Sequence, residues 1–414
     1  MRLRVGLLVV ALLATALVVD LWPSGTPGGP DDRGVLTAQE EGQPRQTSDG
    51  VAGELAAEVP PFMRGARPRI DNRRSWRMAP GVRFRRWDQT DYRGQIRAYL
   101  VTVDPAAPGV GVDYASGGRH VPDRDTVSGM LRREGADAVA GVNGGFFDIY
   151  DTGAPLGIGQ DRQRGFLHAA RYTWNNAFWM ARDGRTGIGR TGMDARILEF
   201  PQLEITNVNS PRARAGAIGL WTPRWGSTSG YSITDGQRDR VRMVVVQDGR
   251  VVANTTDLSS GRRISGQVLV GRGPGAEQLE QLRVGASATL RYGLTAEPVF
   301  AISGERVLLS RGRIEVTDDR ILHPRTAVGI DRDTGKVLLL AVDGRQRHSR
   351  GCTMVELARL MRRLGAETAL NLDGGGSTTL VGRNREQVRR LLNRPSDGTQ
   401  RQVADGIVVT YDAP

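Results

Sequence analysis

The stretch Asn371-Leu372-Asp373-Gly374-Gly375-Gly376-Ser377-Thr378-Thr379 constrains this chain more than any other. The apolar run Thr368-Ala369-Leu370 leads into it and Leu380-Val381 leads out. Three consecutive glycines open backbone conformations closed to other residues and let the chain come close to a ligand. Successive N–H groups in such a turn form a concave anion site. Asp373 adds a carboxylate, Asn371 an amide, and Ser377 to Thr379 three hydroxyls. Glycines alone would mark a surface loop, but these flanking polar groups turn the expectation toward a phosphate or sugar site.

The surrounding pattern is one of short strands with few helices. Thr126 to Glu134 reads as a short helix, and Ala138 to Val142 as a buried strand that presents Asn143 to Asp148. Asp248-Gly249 suits a primed turn, so Met243 to Ala253 reads as a hairpin. A second hairpin joins Thr326–Ile330 to Lys336–Val342. Thr353-Met354-Val355-Glu356 is a capping box, followed by Met354, Leu357, Leu360, Met361 and Leu364 on one face and closed by Gly365. Arg385 to Leu392 is expected as a short helix and Ala404 to Thr410 as a closing strand. The fold class expected is α+β: mixed or antiparallel sheets with a few packed helices in a single catalytic domain. Gly187 to Val299 carries no recognised motif, and is an insertion or simply more strands.

The chain has 414 residues, enough for one large core or two smaller ones. Met1-Arg2-Leu3-Arg4 is basic and Val5 to Val19 is almost wholly apolar, which fits a secretory signal peptide over residues 1–22. Asp20-Leu21-Trp22-Pro23 is a poor cleavage site, so an uncleaved N-terminal anchor stays open. Residues 23–75 are expected as a disordered spacer, rich in Gly, Pro and charged residues, and 76–414 as the domain. The protein is expected to be exported, either secreted or anchored at the cell envelope, with no membrane contact beyond the N-terminal segment. Cys352 is the only cysteine, which excludes an internal disulfide. A net charge of +12 invites a nucleic-acid reading, but Lys336 is the only lysine and the arginines are scattered. Anionic cell-envelope polymers are the better partners.

Two further segments accompany the glycine-rich loop. Gly141-Val142-Asn143-Gly144-Gly145-Phe146-Phe147-Asp148 is followed by Pro155-Leu156-Gly157, and His323-Pro324-Arg325-Thr326-Ala327-Val328-Gly329-Ile330 opens a strand-like run. With Asp343-Gly344 and the Asn371 segment, this ordered set resembles the phosphodiester glycosidase family, over about Arg97 to Val409. The resemblance implies hydrolysis of the glycosyl–phosphate bond of a sugar-1-phosphodiester. Asp148, Asp373 and His323 are the catalytic candidates, with Asp343 as a reserve carboxylate. Asn143, Gly144, Arg325, Thr326, Asp343, Asn371, Gly374, Gly375, Gly376 and Ser377 are the substrate-binding candidates. Arg325 suits phosphate because a guanidinium fork makes two parallel bonds to its oxygens. Phe146 and Phe147 suit either a sugar platform or the core.

Other chemistries lack their residues. The sole lysine lies outside any P-loop pattern, and His120, His168, His323 and His348 are too scattered for a zinc site. No cofactor is required, although a Mg²⁺ or Ca²⁺ on Asp373 stays open. Two rivals share the fold: a glycan- or anionic-polymer-binding protein without turnover, and a phosphodiesterase that cuts P–O.

Overall fold

The computed structural model describes residues 51–63 and 65–413, and all structural statements concern these. The expected signal or anchor over 1–22, and the expected spacer up to residue 50, lie outside them. Within the remainder of that spacer, Glu54–Leu55 pairs antiparallel with Ile321–Leu322. Arg69–Ala79 is already a sheet-edge strand, paired with Val82–Asp91.

Among the described residues strands account for 45% and helix for 10%, so the fold is predominantly β and not the α+β class expected. Local polar competition explains one part of the difference. The expected helix over Arg385 to Leu392 is absent because the Asn384 side chain accepts from the N–H groups of Glu386 and Val388, each at 3.0 Å. That local bond offers the backbone an alternative to a helical turn. The chain reverses there, and Arg389–Leu391 pairs with Leu380–Arg383 as a strand. The motif-free region supplies more: it contributes strands to a ten-stranded sheet and to smaller ladders.

Both predicted hairpins form. Val241–Gln247 pairs with Arg250–Thr255, and Asp248 and Gly249 both take positive φ, at 48° and 72°. Arg325–Asp331 pairs with Lys336–Val342. The capping box at Thr353 is complete, with Glu356 N–H donating to Thr353 Oγ1 at 3.1 Å and Thr353 N–H to Glu356 Oε2 at 3.0 Å.

Two antiparallel sheets carry the site. The eight-stranded one runs in the order Arg69–Ala79, Val82–Asp91, Gly94–Val103, Lys336–Val342, Arg325–Asp331, Thr368–Asn371, Val307–Ser310, Arg313–Ile314. The five-stranded one holds Ala138–Asn143 between Leu380–Arg383 and Asp405–Tyr411. Alternation along Lys336–Val342 shows why the first is covered on both faces. Leu338, Leu340 and Val342 join Leu357, Leu360 and Met361 of the helix Met354–Arg363, while Val337, Leu339 and Ala341 enter the main core with Val142 and Ile407. A strand apolar on both faces belongs in the middle of a layered core. The loop 372–379 leaves the eight-stranded sheet at Asn371 and enters the five-stranded one at Leu380, so it crosses the seam between them.

Candidate functional site

Asn143 ties the sequence motifs together. It ends the strand Ala138–Asn143 and is fully buried. Its Nδ2 donates to Asp373 O at 2.7 Å, while its Oδ1 accepts from Thr326 Oγ1 at 2.8 Å and from Thr379 N–H at 3.0 Å. Two further backbone bonds fix the crossing loop: Asp373 N–H to Gly144 O at 2.9 Å and Leu372 N–H to Thr326 O at 2.9 Å. The amide of Asn143 therefore holds the protein together, and Thr326 serves it.

Gly375 takes φ +57°, a left-handed conformation that a β-carbon strains, and its N–H donates to Pro324 O at 3.0 Å. Beside Gly376 stands Arg401, whose Nε donates to Asp397 Oδ2 at 3.0 Å; a β-carbon on Gly376 would lie 2.1 Å from Arg401 Nη2. Gly374 likewise leaves room for Pro324 O.

Polar groups of this loop are left over. Asn371 Oδ1 and Nδ2, Ser377 Oγ, Thr378 Oγ1 and Thr379 Oγ1 are buried and have no hydrogen-bond partner among the described residues. Buried polar groups are nearly always satisfied, so a row of orphans on one loop marks a place for a polar ligand.

Asp405, absent from the sequence candidates, completes the site. It opens the strand Asp405–Tyr411, and its Oδ1 accepts the Gly145 N–H at 2.7 Å. Gly144 is required here, since a β-carbon would lie 2.4 Å from Asp405 Oδ1. Asp373 and Asp405 thus bracket the Gly144-Gly145 turn from two sides. Tyr114 Oη lies 3.0 Å from Asp405 Oδ2 and 2.9 Å from His168 Nε2, and His168 Nδ1 is 2.7 Å from Gly157 O. Gly157 O can only accept, so His168 carries its proton on Nδ1 and presents Nε2 as an acceptor. The Tyr114 hydroxyl donates to Asp405 Oδ2, with His168 Nε2 on its other side. Burial, and to a smaller degree the charge of Asp373, raise the Asp405 carboxyl to about 7, against the Gly145 and Tyr114 bonds that lower it. Burial drops His168 to about 4, consistent with a neutral ring. The only sequence signal for Asp405 was an acid at the head of an otherwise apolar strand.

The remaining sequence candidates occupy other positions. Asp148 closes its own turn, accepting from Thr152 N–H at 3.1 Å and Thr152 Oγ1 at 2.9 Å, with Arg212 3.8 Å away. Asp343, fully buried, accepts from Tyr99 Oη at 2.7 Å, Asn393 Nδ2 at 3.2 Å and Arg394 N–H at 3.0 Å, and meets His348 Nε2 at 3.0 Å. Asn393 also donates to Thr378 O at 2.9 Å, so Asp343 supports the crossing loop from behind. Arg325 donates from Nε to Cys352 O at 3.1 Å and from Nη2 to Ile321 O at 3.3 Å. His323 accepts at Nδ1 from Arg345 Nη2 at 3.1 Å, and the chain at Gly53 passes over its ring; a β-carbon there would lie 2.6 Å from Nε2. Phe147 is core, whereas Phe146 is half-buried against Trp174, ring centroids 5.2 Å apart. Among the described residues no group of three or more His, Cys, Asp or Glu side chains could hold a metal ion.

This geometry belongs to a loop-crossing polar site on a two-sheet β scaffold, and the comparisons give it a class. Residues 224–410 match the family model described as phosphodiester glycosidase. That range holds the His323, Asp343 and Asn371 segments and Asp405, and begins after Asn143–Asp148. The resemblance to the phosphodiester glycosidase family read from the motifs therefore stands. A mouse N-acetylglucosamine-1-phosphodiester alpha-N-acetylglucosaminidase is 30% identical over 151 residues, covering 33% of this chain and 28% of that protein. The SPbeta prophage-derived uncharacterized protein YomE of Bacillus subtilis is 34% identical over 94 residues, 23% of this chain and 14% of its own length. The chain thus spans less than a third of either relative. Two crystal structures share the fold, each with a TM-score of 0.66. A hypothetical protein from Synechocystis is 23% identical, covering 80% of this chain and 62% of that one. A putative exported protein from Burkholderia pseudomallei is 17% identical, covering 87% of this chain and all of that one.

Proposed function

We propose that this protein hydrolyses the glycosyl–phosphate bond of a sugar-1-phosphodiester, releasing free sugar and a phosphomonoester. One observation carries the reading: Asp373 and the buried Asp405 bracket the Gly144-Gly145 turn beside a row of buried, unsatisfied polar groups. Water attacks the anomeric carbon as the carbon–oxygen bond to phosphorus breaks, and the bonding pair leaves with the phosphate. Asp373 takes the proton of the attacking water and faces the positive charge that develops on the sugar. Asp405 gives its proton to the departing phosphate, burial having raised its carboxyl to about 7. Phe146 and Trp174 offer the sugar a platform, and Arg401, paired with Asp397 beside Gly376, adds positive charge near the phosphate. Export rests on the sequence reading of Met1 to Val19.

Hydrolysis of a sugar-1-phosphodiester in ¹⁸O-water tests the reading. The label should enter the sugar. Label in the phosphate would replace this mechanism with P–O cleavage, and absence of turnover across a panel of such diesters would leave a binding protein. If Asp405 is the acid, kcat should fall as pH rises through about 7, and Asp405→Asn should remove that limb.

A further inference from the structure

A second cleft lies away from the aspartates, between the edge hairpin Arg69–Ala79/Val82–Asp91 and the last turn of the helix Met354–Arg363. It measures about 640 Å³. Pockets of that size suit a small organic ligand. Its floor is apolar: Trp87 and Leu360 are buried, and Ile70 and Leu364 half-buried. Its rim is six guanidinium groups, Arg67, Arg73, Arg74, Arg85, Arg86 and Arg363.

None of these six pairs with a carboxylate among the described residues. The neighbouring arginines behave differently. Arg93 is held by Asp319 at 2.7 Å and by Glu356 at 3.1 Å, and Arg350 by Glu356 at 2.8 Å and Asp91 at 3.0 Å. Asp88, the acid nearest Arg86 in sequence, is taken bidentately by Arg97, at 2.6 and 2.8 Å. Arg86 Nε is buried without a partner among the described residues. Burial first, and nearby guanidinium charge after it, depress Arg85 and Arg86 below the ordinary arginine value. Burial does the same to Arg363, with Asp91 opposing and Arg359 reinforcing. Six like charges gather over an apolar floor, and none of them is ion-paired among the described residues. An anion relieves that repulsion, and only one with an apolar portion also covers Trp87 and Leu360.

We propose that this cleft binds a phosphate-bearing amphiphile, its phosphate on the arginine rim and its apolar chain on the Ile70–Trp87–Leu360–Leu364 floor. The site is independent of the hydrolytic one and its test does not use turnover as the binding readout.

Calorimetric titration of the full chain with dihexanoyl phosphatidic acid, below its micelle-forming concentration, checks this directly. Saturable one-to-one binding is expected. Inorganic phosphate, lacking the chain, and dihexanoyl phosphatidylcholine, lacking the net charge, should each bind at least roughly tenfold more weakly. Arg85→Gln/Arg363→Gln changes two exposed side chains and should weaken phosphatidic acid by roughly tenfold or more, whereas the distant Arg283→Gln should not. The melting temperature shows that the double variant is folded. Equal affinity of parent and double variant would overturn the site, as would no binding by the parent. Binding only to vesicles containing phosphatidic acid, and not to the soluble amphiphile, would also overturn it and assign the charge to general surface attraction. Phosphate binding as tightly as the amphiphile would remove the role of the apolar floor.

Discussion

Asp343 and Asp373 are both buried aspartates drawn from recognisable motifs, at 0% and 1% exposure, yet their surroundings differ. Asp343 has its oxygens engaged by Tyr99, His348, Asn393 and Arg394. Asp373 sits on a loop whose Asn371, Ser377, Thr378 and Thr379 keep unsatisfied buried polar atoms. Like Asp343, Arg325 is engaged, spending its fork on two backbone carbonyls. A buried polar group that the protein satisfies is scaffold; one that the protein leaves over waits for something else. Motif membership does not distinguish the two, and hydrogen-bond accounting does.

Substitution of the two aspartates should break this comparison most sharply. Asp373→Asn is expected to lower kcat by roughly 10²–10⁴-fold, the range for a lost acid–base group, with little change in thermal melting. Asp343→Ala should instead cost about 3–5 kcal/mol of stability, because it leaves His348, Tyr99 and Asn393 without their buried acceptor. Turnover per folded molecule should survive in part. If denaturant unfolding gave equal stability losses for both, the division would be wrong.

Asp405 should show its difference through pH. Its folded value of about 7 lies above the ordinary aspartate value of about 3.9, so the folded state holds a proton that the unfolded state releases first. Stability contributed by this group is therefore full below pH ~4, falls as pH rises, and is lost above ~7. His168 works in the opposite sense: its folded value of about 4 means that acidification below ~6.5 destabilises. Asp405→Asn mimics the neutral acid and keeps an acceptor for Gly145. Relative to the parent it should be close in stability at pH 5 and more stable at pH 8. An identical pH dependence in urea titrations of the two proteins would show that Asp405 carries no proton of this kind.

Arg325→Lys should have a smaller effect and one opposite to phosphate recognition. Lysine cannot span Cys352 O and Ile321 O, and the loss of these bonds to backbone should cost about 1.5–3 kcal/mol. KM for a charged sugar phosphodiester and for a neutral aryl glycoside should change alike. A selective loss on the charged substrate would move Arg325 into the phosphate site.

Much of the scaffold could be read along the chain because it rests on local rules. The capping box at Thr353, the Asp248-Gly249 turn and the alternation of Lys336–Val342 are each decided within a few residues. The segments around Asn143, Arg325 and Asp373 were legible as motifs, but their roles were not. Whether Asn143 binds a ligand or Asp373's own backbone depends on contacts 230 positions apart. Asp405 went unseen because its Tyr114 and His168 partners come from distant strands of two sheets. The arginine cleft was equally hidden, since residues 67–74, 85–86 and 363 meet only when the edge hairpin closes against the helix. The strand at Arg389–Leu391 was hidden too, because the Asn384 side chain diverts a segment of helical composition into a turn.

The finest probe is Thr379→Val, which removes one hydroxyl and keeps the shape. Thr379 contributes its N–H to Asn143 Oδ1 and its carbonyl to Asn143 N–H, and neither involves the side chain. Its Oγ1 is buried without a partner among the described residues. An unsatisfied buried hydroxyl costs desolvation and returns no bond, so valine should leave stability within ~0.5 kcal/mol or raise it slightly. If the hydroxyl meets substrate, turnover efficiency should still fall by roughly tenfold, the worth of one hydrogen bond, with the change in kcat or KM telling whether the bond tightens in the transition state. A valine variant that loses stability and keeps full activity would place Thr379 with Asp343 on the scaffold side, and the ligand would then have to be read from Asn371, Ser377 and Thr378 alone.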